Sequence, residues 1–192
     1  MSDEIRFYRS DEKPYGAFSN LFRSHVRFGA RDFPTAEHAY QFQKPKKLDV
    51  RQWLMAAPSP SLLAMAAHGL YTWDIVEGWS QKKVSWMRCV LWSKFGQNAD
   101  LRRLLLSTGR TLLIETAKTD NAVNRYWGQV AVEGKPGHFK GQNMLGTLLM
   151  GVREDFRVGT ITEDAVRGLA EGLDPDTGLP DLSFEFHPRA TE

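Results

Sequence analysis

Hydrophobic and polar positions alternate over short stretches in the first third of the chain, a pattern that predicts β-strands. Strands are predicted at residues 5–8 and within 26–33, and Gly29-Ala30 interrupts the second stretch at a position typical of a hairpin turn. A further strand is predicted at 111–115. The amino-terminal part is therefore expected to form a small sheet.

From Pro34 onwards the hydrophobic positions recur at three- and four-residue steps, which predicts helices. Capping and helix-breaking residues mark the ends of two of these helices. Thr35 can cap a helix over residues 36–43 that Pro45 ends, and Ser59-Pro60 begins a helix over 60–68 that Gly69 stops. Both helices are expected to be short.

The rest of the chain is mostly helical by the same spacing. A helix is predicted over 77–95 with Gly96 as its C-cap, another after Asn98, and two more over 142–156 and 162–171. Residues 119–141 are predicted as loop with short extended pieces. Beyond Gly172, Phe184 and Phe186 favour a tail strapped to the body over a disordered end.

The composition narrows the class of protein. The 192 residues are 42% hydrophobic, with a net charge of +2 from interspersed charges and a single cysteine. One cysteine excludes an intramolecular disulfide framework and fits a reducing compartment. No run of about 18 apolar residues occurs and no apolar leader opens the chain. We therefore expect one intracellular domain, cytoplasmic or, in a eukaryote, nuclear, without a membrane partner.

The most informative stretch is the short helix after Pro34. Glu37, Gln41 and Lys44 lie at i, i+4 and i+7, so their side chains share one helical face that could line a pocket. The helix dipole favours an ionised carboxylate at Glu37, which suits a base, a nucleophile or a stabiliser of positive charge. The alternative is that Glu37 and Lys44 are ordinary surface residues.

A second candidate is the glycine-rich segment that runs from Gly134 to Gly146 and enters a helix. Backbone amides at such a helix start can hold phosphate, and Lys135 and Lys140 would add positive charge. The alternative is that the glycines only permit turns, with Gly146 allowing close helix packing. Other lysines could join a phosphate-binding rim; this basic set comprises Lys44, Lys46, Lys47, Lys82, Lys83, Lys135 and Lys140.

Other kinds of site find little support. Trp79 with Lys83 one turn later could stack on a nucleobase, although a Trp at helix spacing is more often in the core. The five histidines show no HxxxH or HExxH spacing, and Cys89 falls inside a hydrophobic helix. No metal site, no cofactor and no serine or cysteine nucleophile is expected.

Taken together, five motifs resemble the NADAR family of N-glycosidases. They are Phe18-Ser19-Asn20, the Pro-Thr-Ala-Glu-His-x-Tyr-Gln-x-Gln-Lys run at 34–44, Trp79 with Lys83, Tyr126-Trp127-Gly128, and Gly-x-Asn-x-Leu-Gly-x-x-Leu-Met-x-x-Arg at 141–153. Their order covers about Phe7 to Phe156. The resemblance implies a single α+β domain, predominantly α-helical with a small β-sheet, over residues 1–157. Residues 158–192 would then be a C-terminal helix and tail packed on it or trailing from it.

The resemblance also implies a reaction. Members of the family cleave the bond between ribose C1′ and a nitrogen, either in phosphoribosylamino-pyrimidine intermediates of riboflavin synthesis or in ADP-ribose attached to guanine in DNA. We expect the second substrate, with ADP-ribosylated single-stranded DNA as partner. Glu37 matches the essential glutamate, and Lys44 matches a lysine that can attack C1′ of the opened ribose to form a Schiff base.

The expected substrate-binding residues come from the helical stripe and these motifs. They are Phe18, Ser19, Asn20, Gln41, Trp79, Lys83, Asp120, Asn124, Tyr126, Trp127, Gly128, Gly141, Asn143 and Gly146. Two departures from the family stand out. Pro45 follows the lysine where the family often has an apolar residue, and Asn124 stands where an acid commonly precedes the Trp-Gly pair. Either Asp120 supplies that acid from a longer loop or the role is absent.

Two other functions remain open on the sequence. The same residues could bind ADP-ribose without turnover, as a binding module, or the leucine-rich helices could serve as an interaction scaffold that binds no nucleotide. Because a bound ligand raises the melting temperature by mass action, ADP-ribose in a thermal-shift assay separates the scaffold from the other two.

Overall fold

A four-stranded mixed sheet runs through the protein, of which a computed structural model describes residues 4–172. The strand order is β1 (Glu4–Phe7), β4 (Leu112–Ala117), β5 (Gln129–Ala131) and β6 (Phe139–Lys140). The first two pairings are parallel and the last is antiparallel. The predicted strands at 5–8 and 111–115 are thus confirmed. The structure also shows that they are neighbours in the sheet, although they lie more than 100 residues apart in the chain.

The predicted hairpin is also confirmed. Strands β2 (Arg23–Phe28) and β3 (Arg31–Thr35) pair antiparallel as a separate two-stranded sheet. Gly29 and Ala30 both have positive φ, 56° and 55°, as a two-residue turn of the primed type requires. Their backbone N–H groups donate to the carbonyls of Leu169 and Ala170, so the last described helix packs against this turn.

Eight α-helices surround the strands in the described part of the chain. They are α1 (Ala36–Phe42), α2 (Leu48–Met55), α3 (Pro60–His68), α4 (Trp79–Gln97), α5 (Ala99–Ser107), α6 (Ala122–Trp127), α7 (Met144–Arg157) and α8 (Glu163–Glu171). The caps act as predicted in two cases, because the side chains of Thr35 and Ser59 accept hydrogen bonds from the backbone N–H groups of His38 and Leu62. The predominantly helical α+β fold is confirmed.

Some local predictions are wrong. The helices α2 and α6 were not expected, and α6 lies inside the stretch predicted as loop. Gly96 is not a C-cap, since α4 continues to Gln97. A Cβ atom at Gly96 would come within 2.6 Å of the Val166 side chain, so this glycine lets α8 pack closely on α4. The tail with Phe184 and Phe186 lies outside the described residues.

The core fills the space between α4, α7 and the two sheets. Its largest buried side chains include Phe7, Phe18, Phe28, Phe95 and Leu149. Lys94 is also fully buried in this core, and its ammonium group donates hydrogen bonds to the carbonyls of Ala17 and Ser19 at 2.7 and 2.9 Å. Burial lowers the pKa of Lys94 to about 7. The two hydrogen bonds of the Lys94 ammonium group hold the loop that carries Asn20.

The close contact between α7 and β4 leads to a prediction for two glycines of α7. A Cβ atom at Gly146 would lie 2.1 Å from the Leu113 carbonyl oxygen, whereas one at Gly151 would meet nothing within 4 Å. We expect Gly146→Ala to destabilise the protein by about 2 kcal/mol or more through overpacking. Gly151→Ala should instead stabilise it by about 0.5–1 kcal/mol through helix propensity.

Urea unfolding of both variants measures this difference. Equal shifts of the same sign in the two variants would show that α7 does not pack on β4 as closely as the structure has it.

Candidate active site

A cavity of about 200 Å³ lies between α1, the loop at 19–21, β4 and the start of α7. We call it the inner cavity. Its polar lining residues include Asn20, Glu37, Gln41, His68, Glu115 and Asn124, and apolar walls come from Met87, Leu145 and the ring of Trp127. A concave space with a few convergent polar groups is typical of a small-molecule site.

A second cavity of about 350 Å³ adjoins the first and shares Tyr40, Gln41, His68, Val123 and Trp127 with it. We call it the outer cavity. Its other walls carry two lysines, Lys44 and Lys83, and two aromatic rings, Trp79 and Tyr126. The Lys83 ammonium group lies 3.6 Å from the centre of the Tyr126 ring. Cations beside aromatic faces suit phosphates and a nucleobase.

Glu37 enters the inner cavity from the first turn of α1. Its backbone N–H donates to the Asn20 carbonyl at 3.0 Å, which ties the helix start to the loop beside it. Its side chain is only 8% exposed, and Oε1 accepts a hydrogen bond from Gln41 at 2.8 Å. Burial raises the pKa of Glu37, while the Gln41 amide and the charge of Lys44 oppose that rise. The last two effects favour the ionised form.

Lys44 directly follows α1 and its C-cap residue Gln43, and lines the outer cavity. Its ammonium group donates to the Ala67 carbonyl, and burial lowers the pKa of this lysine. Pro45 does not turn the side chain away, because the chain at Pro45 pairs with Ile75 and leaves Lys44 in the cavity wall. A buried lysine with a lowered pKa has more of the neutral amine that a nucleophile needs.

Two amide oxygens in the inner cavity accept no hydrogen bond from any described residue. They belong to Asn20 and Gln41, which are 7% and 2% exposed. The amide nitrogens of both residues are engaged, that of Asn20 with the Met87 sulfur and that of Gln41 with Glu37. Buried acceptors of this kind are costly unless they are paired, so they are suited to the hydroxyl groups of a bound sugar.

Glu115 is a titratable cavity residue that the sequence motifs did not single out. It lies on β4 and lines the inner cavity together with Glu37. Burial, and next the nearby charge of Glu37, raise the pKa of Glu115 to about 8. The signal in the sequence was an acidic residue directly after Leu112-Leu113-Ile114, toward the carboxyl end of a buried parallel strand, where ligand-binding groups collect.

Several predicted site residues lie elsewhere. Phe18 is fully buried and packs on Phe7 and Phe95, and none of Gly128, Gly141, Asn143 and Gly146 lines either cavity. Asn143 is 8% exposed and hydrogen bonds to β4, and the three glycines permit close backbone contacts. The packing interpretation of this glycine-rich segment therefore describes it better than a phosphate cradle.

The two positions considered for the family's acid are now distinguished. Asn124 lines the inner cavity, whereas Asp120 lies outside both cavities in ion pairs with Arg125 and Lys140. These two cations lower the pKa of Asp120 to about 2. The other predicted contacts do reach the cavities, Ser19 and Asn20 in the inner one and Trp79, Lys83, Tyr126 and Trp127 in the outer one. Of the basic set, only Lys44 and Lys83 line a cavity.

Within residues 4–172, no group of three or more acidic, histidine or cysteine side chains is placed to hold a metal ion. The helices of the same range include none with the length and apolar character needed to cross a membrane.

Comparison with known proteins finds matches over most of the chain. The model of the NADAR domain matches residues 6–157. The N-glycosidase YbiA of Escherichia coli is 34% identical over 158 residues, 82% of this chain and 92% of YbiA. An N-glycosidase of Nostoc punctiforme is 35% identical over 80% of this chain and 92% of its own length.

Two further matches extend the comparison. A riboflavin biosynthesis protein of Vibrio vulnificus is 31% identical over 82% of this chain, which corresponds to 40% of that longer protein. The NMR structure of Escherichia coli YbiA superposes with a TM-score of 0.69 at 34% identity, covering 83% of this chain and 89% of YbiA.

Proposed function

Since this chain belongs to the NADAR family and is an N-glycosidase, we propose that it hydrolyses the bond between ribose C1′ and a guanine nitrogen, releasing ADP-ribose from ADP-ribosylated DNA. The observation that carries the proposal is the inner cavity, which is lined by the Glu37 side chain and by Asn20 and Gln41, whose amide oxygens accept no hydrogen bond from a described residue. The ribose hydroxyls donate to the two amides, and C1′ then faces Glu37.

The outer cavity supports a substrate longer than a ribose monophosphate. A single phosphate beside Lys44 or Lys83 would make no use of the rings of Trp79 and Tyr126 in the same cavity wall. The pyrophosphate and adenine of ADP-ribose use both the lysines and the aromatic rings. The lysines bind the phosphates, and the rings stack on the adenine. This favours ADP-ribose over a phosphoribosyl compound.

Outside the cavities, an exposed aromatic pair favours a nucleic-acid strand. The rings of Tyr71 and Trp73 stack at 4.4 Å and are 64% and 67% exposed. They follow α3, whose last residue His68 lines both cavities. Exposed rings are stacking platforms for the bases of single-stranded DNA. The bases that flank the modified guanine are the proposed occupants.

Glu37 acts on the charge that develops during cleavage. Breaking the C1′–N bond leaves positive charge on C1′ and the ring oxygen, and a carboxylate held in a dry site stabilises that charge without having to reorganise. Lys44 offers a covalent route, in which its neutral amine attacks C1′ of the opened ribose, the base departs, and water hydrolyses the resulting Schiff base.

The covalent route makes a direct prediction. Borohydride added during turnover should reduce the Schiff base and leave a stable adduct between the protein and the sugar, detected by mass spectrometry. Lys44→Ala should abolish the adduct, whereas Lys47→Ala, which removes an exposed lysine three residues away, should not. Absence of any adduct on the wild-type enzyme would favour direct hydrolysis with Glu37 alone.

A second candidate substrate is a phosphoribosylamino-pyrimidine, which the Vibrio relative's name as a riboflavin biosynthesis protein favours. The deciding experiment measures product release from guanine-ADP-ribosylated single-stranded DNA beside release from the pyrimidine nucleotide. We expect faster cleavage of the DNA adduct. Cleavage of the pyrimidine alone would establish metabolite clearance instead. Activity on neither substrate, with ADP-ribose still bound, would support the binding module.

A further inference from the structure

Glu115 is a second carboxyl group in the inner cavity, and neither the sequence motifs nor the proposed cleavage gives it a task. It projects from β4, while Glu37 projects from α1, and both line one space of about 200 Å³. A single ribosyl group bound there contacts both. We propose that Glu115 is the catalytic acid that protonates the departing nitrogen. The assignment rests on cleavage of a C1′–N bond in this cavity, as proposed above.

The backbone around Glu115 is held from three sides. The Asn143 side chain accepts a hydrogen bond from the Glu115 N–H at 3.0 Å and donates one to the Leu113 carbonyl at 2.8 Å. A Cβ atom at Gly128 would lie 2.8 Å from the Glu115 carbonyl oxygen, and one at Gly146 would lie 2.1 Å from that of Leu113. Three motif residues that line no cavity thus fix the strand that presents Glu115.

Glu115 also differs from Glu37 in its partners. Burial raises the pKa of Glu37, but Glu37 also accepts a hydrogen bond from the Gln41 amide and lies near the charge of Lys44, and both of these oppose the rise. Within residues 4–172, no side chain donates a hydrogen bond to the Glu115 carboxyl, and the repulsive charge of Glu37 is the one charge that shifts its pKa. Environments that separate two carboxyl groups in this way assign the acid and the charge stabiliser.

The proton balance closes within the cavity. As the C1′–N bond breaks, its electron pair stays on nitrogen, and the Glu115 carboxyl proton moves to that nitrogen. Water supplies hydroxyl to C1′, either directly or by hydrolysis of the Lys44 Schiff base. The remaining water proton returns to Glu115. The reaction therefore consumes one water molecule and returns Glu115 and Lys44 to their starting states.

Glu115 sets the alkaline side of the pH profile. With its pKa near 8, it holds the proton at neutral pH and loses it above that value. The other titratable groups that face it are Tyr8, Glu37, Tyr40 and His68 in the inner cavity, with Lys44 beyond. Burial raises the pKa of Tyr40 well above its ordinary value, and burial followed by the Lys44 charge lowers that of His68, which moves both away from pH 8.

The test is the pH dependence of kcat for the full chain and for Glu115→Gln, Glu115→Asp and Glu37→Gln on the guanine adduct. We expect wild-type kcat to fall above about pH 8. Glu115→Gln should lose about 100-fold or more at pH 7 and show no alkaline fall in its residual activity. Glu115→Asp should keep part of the activity together with the fall, and Glu37→Gln should keep the fall at low activity.

Three results would overturn the assignment. One is a Glu115→Gln variant within threefold of the wild type at pH 7. Another is a variant of low activity that keeps the alkaline fall, since the fall would then belong to another group and the loss would be structural. Melting temperature and ADP-ribose binding report whether the variant is folded. A wild-type enzyme inactive on every ribosyl substrate would overturn the proposed function, and this assignment with it.

Discussion

Glu37→Gln should lower kcat on the ADP-ribosylated guanine substrate by about 100- to 1000-fold while leaving ADP-ribose binding largely intact. The substitution keeps the volume of the side chain and one oxygen that can accept from Gln41, replaces the other oxygen with an NH2 donor, and removes the negative charge. The Glu37 charge stabilises the positive charge that develops on C1′ in the transition state. Bound ADP-ribose, the product, carries no positive charge at C1′. The loss is therefore expected in kcat rather than in affinity.

The matched control is Glu163→Gln, which removes the same charge from the first turn of another helix. Glu163 begins α8, is exposed and lines neither the inner nor the outer cavity. Steady-state kinetics of both variants, with ADP-ribose binding by thermal shift, make the comparison. Equal activity of Glu37→Gln and Glu163→Gln would refute the role given to Glu37.

Glu115→Gln should stabilise the protein, and the gain should grow as the pH rises. Glu115 has a pKa of about 8 when folded against an ordinary value of 4.5. Between these values the folded state holds a proton that the unfolded state releases, so the folded protein loses stability as the pH increases. Each pKa unit corresponds to about 1.4 kcal/mol, and the glutamine variant escapes this cost.

Urea unfolding at pH 5 and pH 8 measures the effect as a difference between variant and wild type. We expect that difference to increase by a few kcal/mol from pH 5 to pH 8. Lys94 has a lowered pKa of about 7 and adds its own pH dependence, but it is present in both proteins and cancels. An equal difference at both pH values would mean that Glu115 is already ionised at pH 5 in the folded protein, so that its pKa is not raised.

Such a gain in stability fits an active-site role. A carboxyl group buried beside another carboxyl weakens the fold, and proteins retain groups of this kind where function requires them. Lys44 in the outer cavity is a second case, because burial also disfavours its charged form. Both residues are expected to trade stability for a protonation state that suits catalysis.

Local signals explain why part of the fold was predictable. The caps Thr35 and Ser59 and the turn Gly29-Ala30 act through hydrogen bonds and φ angles within a few residues, so the sequence predicted them correctly. Gly96 misled the prediction because its requirement is tertiary. The residue stays helical so that Val166 of α8 can approach it, and no local pattern reports that contact.

The site shows the same division. The stripe of Glu37, Gln41 and Lys44 depends only on helical spacing, and all three side chains do reach the two cavities. Glu115 could not be placed in the same way. Its position depends on β4 pairing with β1, from more than 100 residues earlier, and on Asn143 from more than 25 residues later. Asn143 and Gly146 were read as ligand contacts because their true partner, the backbone of β4, is distant in sequence.

The structure of this protein with bound ADP-ribose tests the central claim most directly. We expect the distal ribose in the inner cavity, with its hydroxyls donating to the amide oxygens of Asn20 and Gln41 and with C1′ facing Glu37 and Glu115. The pyrophosphate should lie at Lys83 and the adenine against Trp79 and Tyr126. An ADP-ribose bound outside these cavities, or with its adenine in the inner cavity, would contradict the account.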